Sequence, residues 1–169
     1  MSVLRTDVSG LDIRFATPED CPLIFEFICD LADYEKLSHE VVGNVEALRA
    51  SLFGERPYAE VLVAHLHDEP AGMALFFHNY STFLTAPGIY LEDLFVKPEK
   101  RGHGVGKELL TCLARIAVER DCGRLEWSVL DWNEPAIGFY KALGAEPMDE
   151  WTVFRLTGES LANLGSPAC

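Results

Sequence analysis

Arg101-Gly102-His103-Gly104-Val105-Gly106 has the spacing R-x-x-G-x-G, between an apolar β-rich run and an amphipathic stretch. Glycines let a backbone approach a ligand closely, and the free N–H groups of a helix start, with the helix dipole, bind phosphate oxygens. A ligand-free helix entry would use the same glycines, so the motif alone leaves both readings open. It is not a Walker loop: Glu108 follows Gly106-Lys107 where a Ser or Thr would hold magnesium, and Arg101 replaces the first glycine. Nor is it the dinucleotide fingerprint, because Lys107 takes the place of the third glycine.

Two further clusters have the residue types for proton transfer. Glu92 and Asp93 interrupt the otherwise apolar Tyr90-Leu91-Glu92-Asp93-Leu94-Phe95-Val96. Burial and a like-charged neighbour raise a carboxyl pKa toward a value useful for a general base. Strand alternation sends the two acids to opposite faces, leaving a structural role open for one of them. Downstream, Asn133-Glu134-Pro135-Ala136-Ile137-Gly138-Phe139-Tyr140 starts a helix; Asn133 alone reads as a cap and Tyr140 alone as an amphipathic core residue. His65 and His67 lack ligand-spaced partners, and none of the five cysteines lies in either motif, so neither a metal site nor a cysteine nucleophile is expected.

The elements that must position these residues follow from periodicity. Leu11 to Ala16 alternates as a strand, and Thr17-Pro18-Glu19-Asp20 starts a helix whose apolar positions carry it to about Tyr34. A second helix runs from Asn44 to Phe53, capped by Asn44 and stopped at Gly54. Ala59 to Leu66 and Gly72 to Tyr80 form an antiparallel hairpin around Asp68-Glu69-Pro70, and Gly88 to Val96 is the next strand. Val105 to Arg120 is a helix, Arg124 to Leu130 a strand, Asn133 to Gly144 bounds another helix, and Thr152 to Leu156 is a last strand before a frayed tail. Consecutive strands without crossover helices predict an α/β chain of α+β type: a mixed, mainly antiparallel sheet with helices on both faces, in one domain.

The two motifs at their joint spacing resemble the GNAT acetyltransferase superfamily, and the order of elements agrees. Tyr-Leu-Glu-Asp at 90–93, Asp131-Trp132-Asn133-Glu134 and Phe139-Tyr140-Lys141 are similar to the diamine and thialysine acetyltransferase branch. Tyr34-Glu35-Lys36-Leu37-Ser38 and Tyr140-Lys141-Ala142-Leu143-Gly144-Ala145 lean toward the thialysine enzymes.

That resemblance implies acetyl-CoA as cosubstrate, with no metal. The amides of Leu94, Phe95 and Val96 would bind pantetheine and polarise the thioester. Those of Arg101, Gly102, His103, Gly104, Val105, Gly106 and Lys107 would hold the pyrophosphate. His103 is read as a solvent-facing spacer rather than a catalyst, and Lys107 departs from the small residue often found there in the branch. Asn133, Pro135, Ala136 and Tyr140 would contact the cofactor near its sulfur. Glu92 would take the amine proton through water, Tyr140 would protonate the leaving thiolate, and Tyr34 and Glu35 would contact the amine. A homodimer is implied as well. Acetylation of a protein N-terminus or lysine, and a silent acyl-CoA sensor, are the alternatives; the presence of both Glu92 and Tyr140 argues against the sensor.

Composition limits the partners. The chain has 169 residues, 49% of them hydrophobic, enough for a real core, and its net charge of -13 makes nucleic acid and anionic membranes poor partners. A small cationic substrate would be attracted, although the acidity could equally serve solubility alone. The cysteines contain no C-x-x-C pair and are expected reduced, and with no apolar run of signal or transmembrane length the protein is expected in the cytoplasm.

Overall fold

The computed structural model describes residues 4–166. The chain divides into two compact units, Met1–Ser128 and Val129–Cys169.

The first unit is built on a five-stranded sheet in the order β1-β2-β3-β4-β5. Its strands are β1 (Leu11–Phe15), β2 (Glu60–Leu66), β3 (Glu69–Ser81), β4 (Ala86–Val96) and β5 (Leu125–Trp127). β1 to β4 are antiparallel neighbours, as the missing crossovers require, and β5, which follows a helical crossover, is parallel to β4. The β2–β3 turn falls at His67-Asp68, one step before the expected residues. Both take positive φ, 53° and 65°, which matches the twist of a two-residue hairpin, and Glu69-Pro70 thereby joins β3.

Both faces of the sheet are covered. Val61, Val63, Met73 and Phe95 point to one face and pack with Ile24 and Phe27 of α1 (Cys21–Glu35) and Leu52 of α2 (Val45–Phe53). The intervening Leu62, Ala64 and Ala74 are fully buried and belong to the opposite face by strand alternation. That face is covered by α3 (Val105–Glu119), whose buried stripe is Val105, Leu109, Leu113 and Ile116. α1 begins after a short 3-10 turn at Pro18–Asp20, where Asp20 accepts the Thr17 amide and pairs with Arg14; these contacts hold the Asp20 carboxyl at about 2. The Asn44 side chain caps α2 by accepting from Ala47 N at 2.8 Å.

In the second unit, α4 (Glu134–Ala142) starts after Asn133, whose side chain accepts from Ala136 N at 3.4 Å, with Pro135 in its first turn. Two expectations fail here. Thr152 to Leu156 is not a strand: alternation marks a local preference, but a strand exists only where a neighbour completes its ladder, and these residues have none among those described. The stretch after it is not frayed throughout, since Gly158–Gly165 forms α5. Cys21, Cys29, Cys112 and Cys122 are free thiols, and Cys169 lies outside the described residues.

Candidate active site

β4 carries the site because its regularity breaks at one residue. Leu75 pairs with Asp93 and Phe76 with Leu91, so Glu92 has no opposite number on β3. This bulge reverses the strand's parity. Leu91 and Phe95, four apart, would share a face in a regular strand. Here Phe95 joins the α1 face opposite Met73, while Leu91 lies opposite Phe76 on the α3 face. Asp93, opposite Leu75, is thereby turned toward α1.

The bulge also ends the parallel ladder. β5 pairs with β4 only at Ile89, Tyr90 and Leu91, and is shorter than the expected Arg124 to Leu130. From Glu92 to Val96, the β4 groups that point away from β3 meet no strand among the described residues. Leu94, Phe95 and Val96, the residues expected to bind pantetheine, lie along this open edge.

The acids form a coupled group. Burial, reinforced by the charges of Glu92 and Glu35, pushes the Asp93 carboxyl up to about 6. Glu35, in the last turn of α1, is itself raised by burial. Glu92 is exposed at the bulge. α1 ends immediately beyond Glu35 because Lys36 takes a left-handed conformation, φ 62°, and Leu37 N returns to Ala32 O at 2.7 Å. The helix exit thus brings Tyr34 and Glu35 to the carboxylates of β4.

The glycine turn is shaped as its sequence requires. Gly102 and Gly104 have φ of 77° and 84°, conformations that L side chains rarely adopt. Gly104 is the N-cap of α3, and the first intrahelical bond runs from Glu108 N to Gly104 O at 3.0 Å. The amides of Val105, Gly106 and Lys107 therefore have no acceptor inside the helix. Positive φ glycines, free amides and the N-terminal dipole suit a pyrophosphate. The Arg101 side chain turns back, donating from Nε to Val96 O at 3.1 Å and placing its Cζ 4.8 Å from the centre of the Tyr34 ring. His103 is exposed with Nδ1 2.9 Å from Arg101 O, and Lys107 is exposed.

The structure brings together Tyr34, Glu35, Glu92, Leu94 to Val96 and Arg101 to Lys107, all in the first unit. Asn133, Pro135, Ala136 and Tyr140 lie in the second, on or beside α4, where the Phe139 and Tyr140 rings are 5.4 Å apart. Asp93 is the residue whose part sequence reasoning left open. Its signal was the pair of acids in an apolar strand, but the bulge that aims it is invisible to alternation.

Comparison with known proteins places the chain in a family. The profile described as the Acetyltransferase (GNAT) family matches residues 28–145. A thialysine N-epsilon-acetyltransferase of Bos taurus is 42% identical over 163 residues, covering 90% of this chain and 95% of that protein. An L-ornithine N5-acetyltransferase of Arabidopsis thaliana is 35% identical, covering 88% and 85%. Among solved structures, an integron cassette protein from the mobile metagenome of V. cholerae superposes with a TM-score of 0.78 at 28% identity, over 94% of this chain and 99% of that one.

Proposed function

The chain belongs to the GNAT acetyltransferase family and is an acyltransferase that moves an acetyl group to a small amine; from that premise we propose that its acceptor is a primary amine carrying a second charged group, of the thialysine or diamine kind. The observation that carries this reading is the coupled acid group at the bulge, Asp93 with Glu35 and Glu92, beside the open edge of β4. Three carboxyl groups attract an ammonium ion, and one held at about 6 can accept its proton near neutrality.

Acetyl-CoA supplies the thioester. The amides of Val105, Gly106 and Lys107 bind its pyrophosphate, and the β4 edge from Leu94 to Val96 orients pantetheine and polarises the carbonyl. The Glu92–Asp93 pair takes the ammonium proton, directly or through water. The freed nitrogen then forms its bond to the acetyl carbon as the carbon–sulfur bond breaks. Tyr140 would give its phenol proton to the departing thiolate, as the motif resemblance implies, and the second proton that the nitrogen sheds on becoming an amide returns the phenolate to the phenol through water. The same resemblance assigns cofactor contacts to Asn133, Pro135 and Ala136.

The test is free-thiol release from acetyl-CoA with thialysine, lysine, ornithine, spermidine, putrescine and a basic peptide as acceptors. Turnover with thialysine, lysine or ornithine, or with the polyamines, supports the reading. Turnover with the basic peptide alone would transfer it to a protein acetyltransferase, and CoA binding without any turnover would make it a sensor. Homodimerisation and a cytoplasmic location belong to the same proposal, to be checked by light scattering and cell fractionation. Among the described residues, no helix is long and apolar enough to cross a membrane.

A further inference from the structure

Glu108 stands in the first turn of the helix that the glycine turn opens, yet it is 5% exposed; it and Ser81 are the buried polar or charged residues among those described. An acid in a first turn ordinarily favours the helix dipole from the surface. Burial costs a carboxylate its hydration, and a negative charge behind an anion-binding helix start opposes the anion. Both costs would be lower at an exposed position, so the side chain's contact is informative. Glu108 Oε2 accepts the backbone N–H of Asp7 at 3.3 Å.

Asp7 belongs to an N-terminal arm laid along α3. Leu4 bridges to Ile13 of β1, with Leu4 N donating to Ile13 O at 2.7 Å, and the Thr6 hydroxyl donates to Leu11 O at 2.8 Å. On the α3 side, Arg115 donates from Nη1 to Arg5 O. Glu108 and Arg115 are seven residues apart, two helical turns, and so share a face. The arm therefore runs antiparallel to α3, from Arg5 at Arg115 through Asp7 at Glu108 to Val8. Val8 ends the path behind the turn, with Cγ2 3.1 Å from the position a Cβ on Gly104 would occupy.

We propose that Glu108 is a positioning residue for the cofactor: through Asp7 it clasps the N-terminal arm behind Gly104 and so fixes the left-handed peptide that presents the free amides of α3. This rests on reading the glycine turn as the CoA pyrophosphate site. The clasp needs an acceptor oxygen at the end of the side chain, and it needs no charge. Glutamine satisfies that requirement and alanine does not.

The experiment is calorimetric titration of the full chain with CoA, alongside thermal melting and steady-state kinetics. Glu108→Ala is expected to raise the CoA Kd about tenfold, the loss of one hydrogen bond. Its kcat at saturating acetyl-CoA and its KM for the amine should stay within about twofold of wild type, while Glu108→Gln binds CoA within about twofold of wild type. A Kd unchanged in Glu108→Ala, or equally weak binding by the Gln variant, overturns the inference. Should Glu108→Ala fail to fold, deletion of residues 1–8 removes the arm and leaves the sequence of α3 unchanged. The same rise of about tenfold supports the clasp, and an unchanged Kd overturns it. If the wild-type chain binds no CoA, the proposed function fails and this inference with it; if it binds and the variants match it, only the clasp fails.

Discussion

The guanidinium of Arg101 lies over the ring of Tyr34, 4.8 Å from its centre, and so ties the glycine turn to the exit of α1. One residue further along α1, Glu35 couples to Asp93. The cofactor turn and the acceptor acids thus share a helix end, and an aromatic ring at 34 is what Arg101 rests on.

Tyr34→Ala is expected to weaken acetyl-CoA binding about threefold, the value of one exposed cation–π contact. Tyr34→Phe keeps the ring face and should bind as wild type. Equal loss in both variants would assign the effect to the hydroxyl. The check is the CoA Kd of the two variants side by side.

Asp93 links stability to pH. Its folded carboxyl, at about 6, lies above its ordinary value of 3.8, so between these values the folded chain holds a proton that the unfolded chain has released. Stability therefore falls as pH rises from about 4 to about 6 and stays lower above that range. Asp93→Asn removes the cost. It should be more stable than wild type at pH 7.5, by roughly 1 kcal/mol once solvent screening of a half-buried group is allowed for, and should match wild type near pH 3.5. Its kcat/KM should fall at least about a hundredfold and lack the rise through pH 6 that the Asp93 carboxyl predicts for wild type. Glu92→Gln separates the pair: retention of that rise in the Gln variant marks Asp93 as the proton acceptor, and its loss marks Glu92.

The bulge explains what the sequence could and could not disclose about this pair. Leu91, Asp93 and Phe95 read as one face of a strand, and nothing in residue type reveals that Glu92 is unpaired; the slip is decided by packing on both sides at once, with Phe76 against Leu91 and Met73 against Phe95. Local signals were sufficient elsewhere. Asn44 and Asn133 were legible as caps, and Gly102 and Gly104 as the glycines of a helix-opening turn, because each acts through its own few neighbours. Thr152 to Leu156 misled for the opposite reason, since a ladder partner is not a property of the segment itself. Glu108 was passed over because a first-turn acid looks the same whether it faces water or an arm laid down about a hundred residues earlier.

Gly104 meets two constraints at once. Its φ of 84° strains any side chain, and a Cβ there would stand 3.1 Å from Val8 Cγ2. Gly102 has φ 77° with nothing within 4 Å of its Cβ position. Gly104→Val should abolish CoA binding, whereas Gly102→Ala should weaken it about fivefold through backbone strain of about 1 kcal/mol. Titration with CoA distinguishes them; unchanged binding by Gly104→Val would count against the turn as the pyrophosphate site.

Tyr140→Phe removes a proton and keeps a ring, so it tests chemistry apart from packing. The Phe139 and Tyr140 rings, 5.4 Å apart, can keep their contact in the variant. A phenol O–H can donate its proton to a leaving thiolate, and a phenyl ring cannot. General-acid catalysis is worth about a hundredfold to ten-thousandfold, so kcat should drop by at least about a hundredfold while the acetyl-CoA Kd changes by less than about threefold. A thiol-release assay and a CoA titration on one preparation measure both quantities. Equal turnover would remove Tyr140 from the acid role. A parallel loss of binding and turnover would instead make it a cofactor contact.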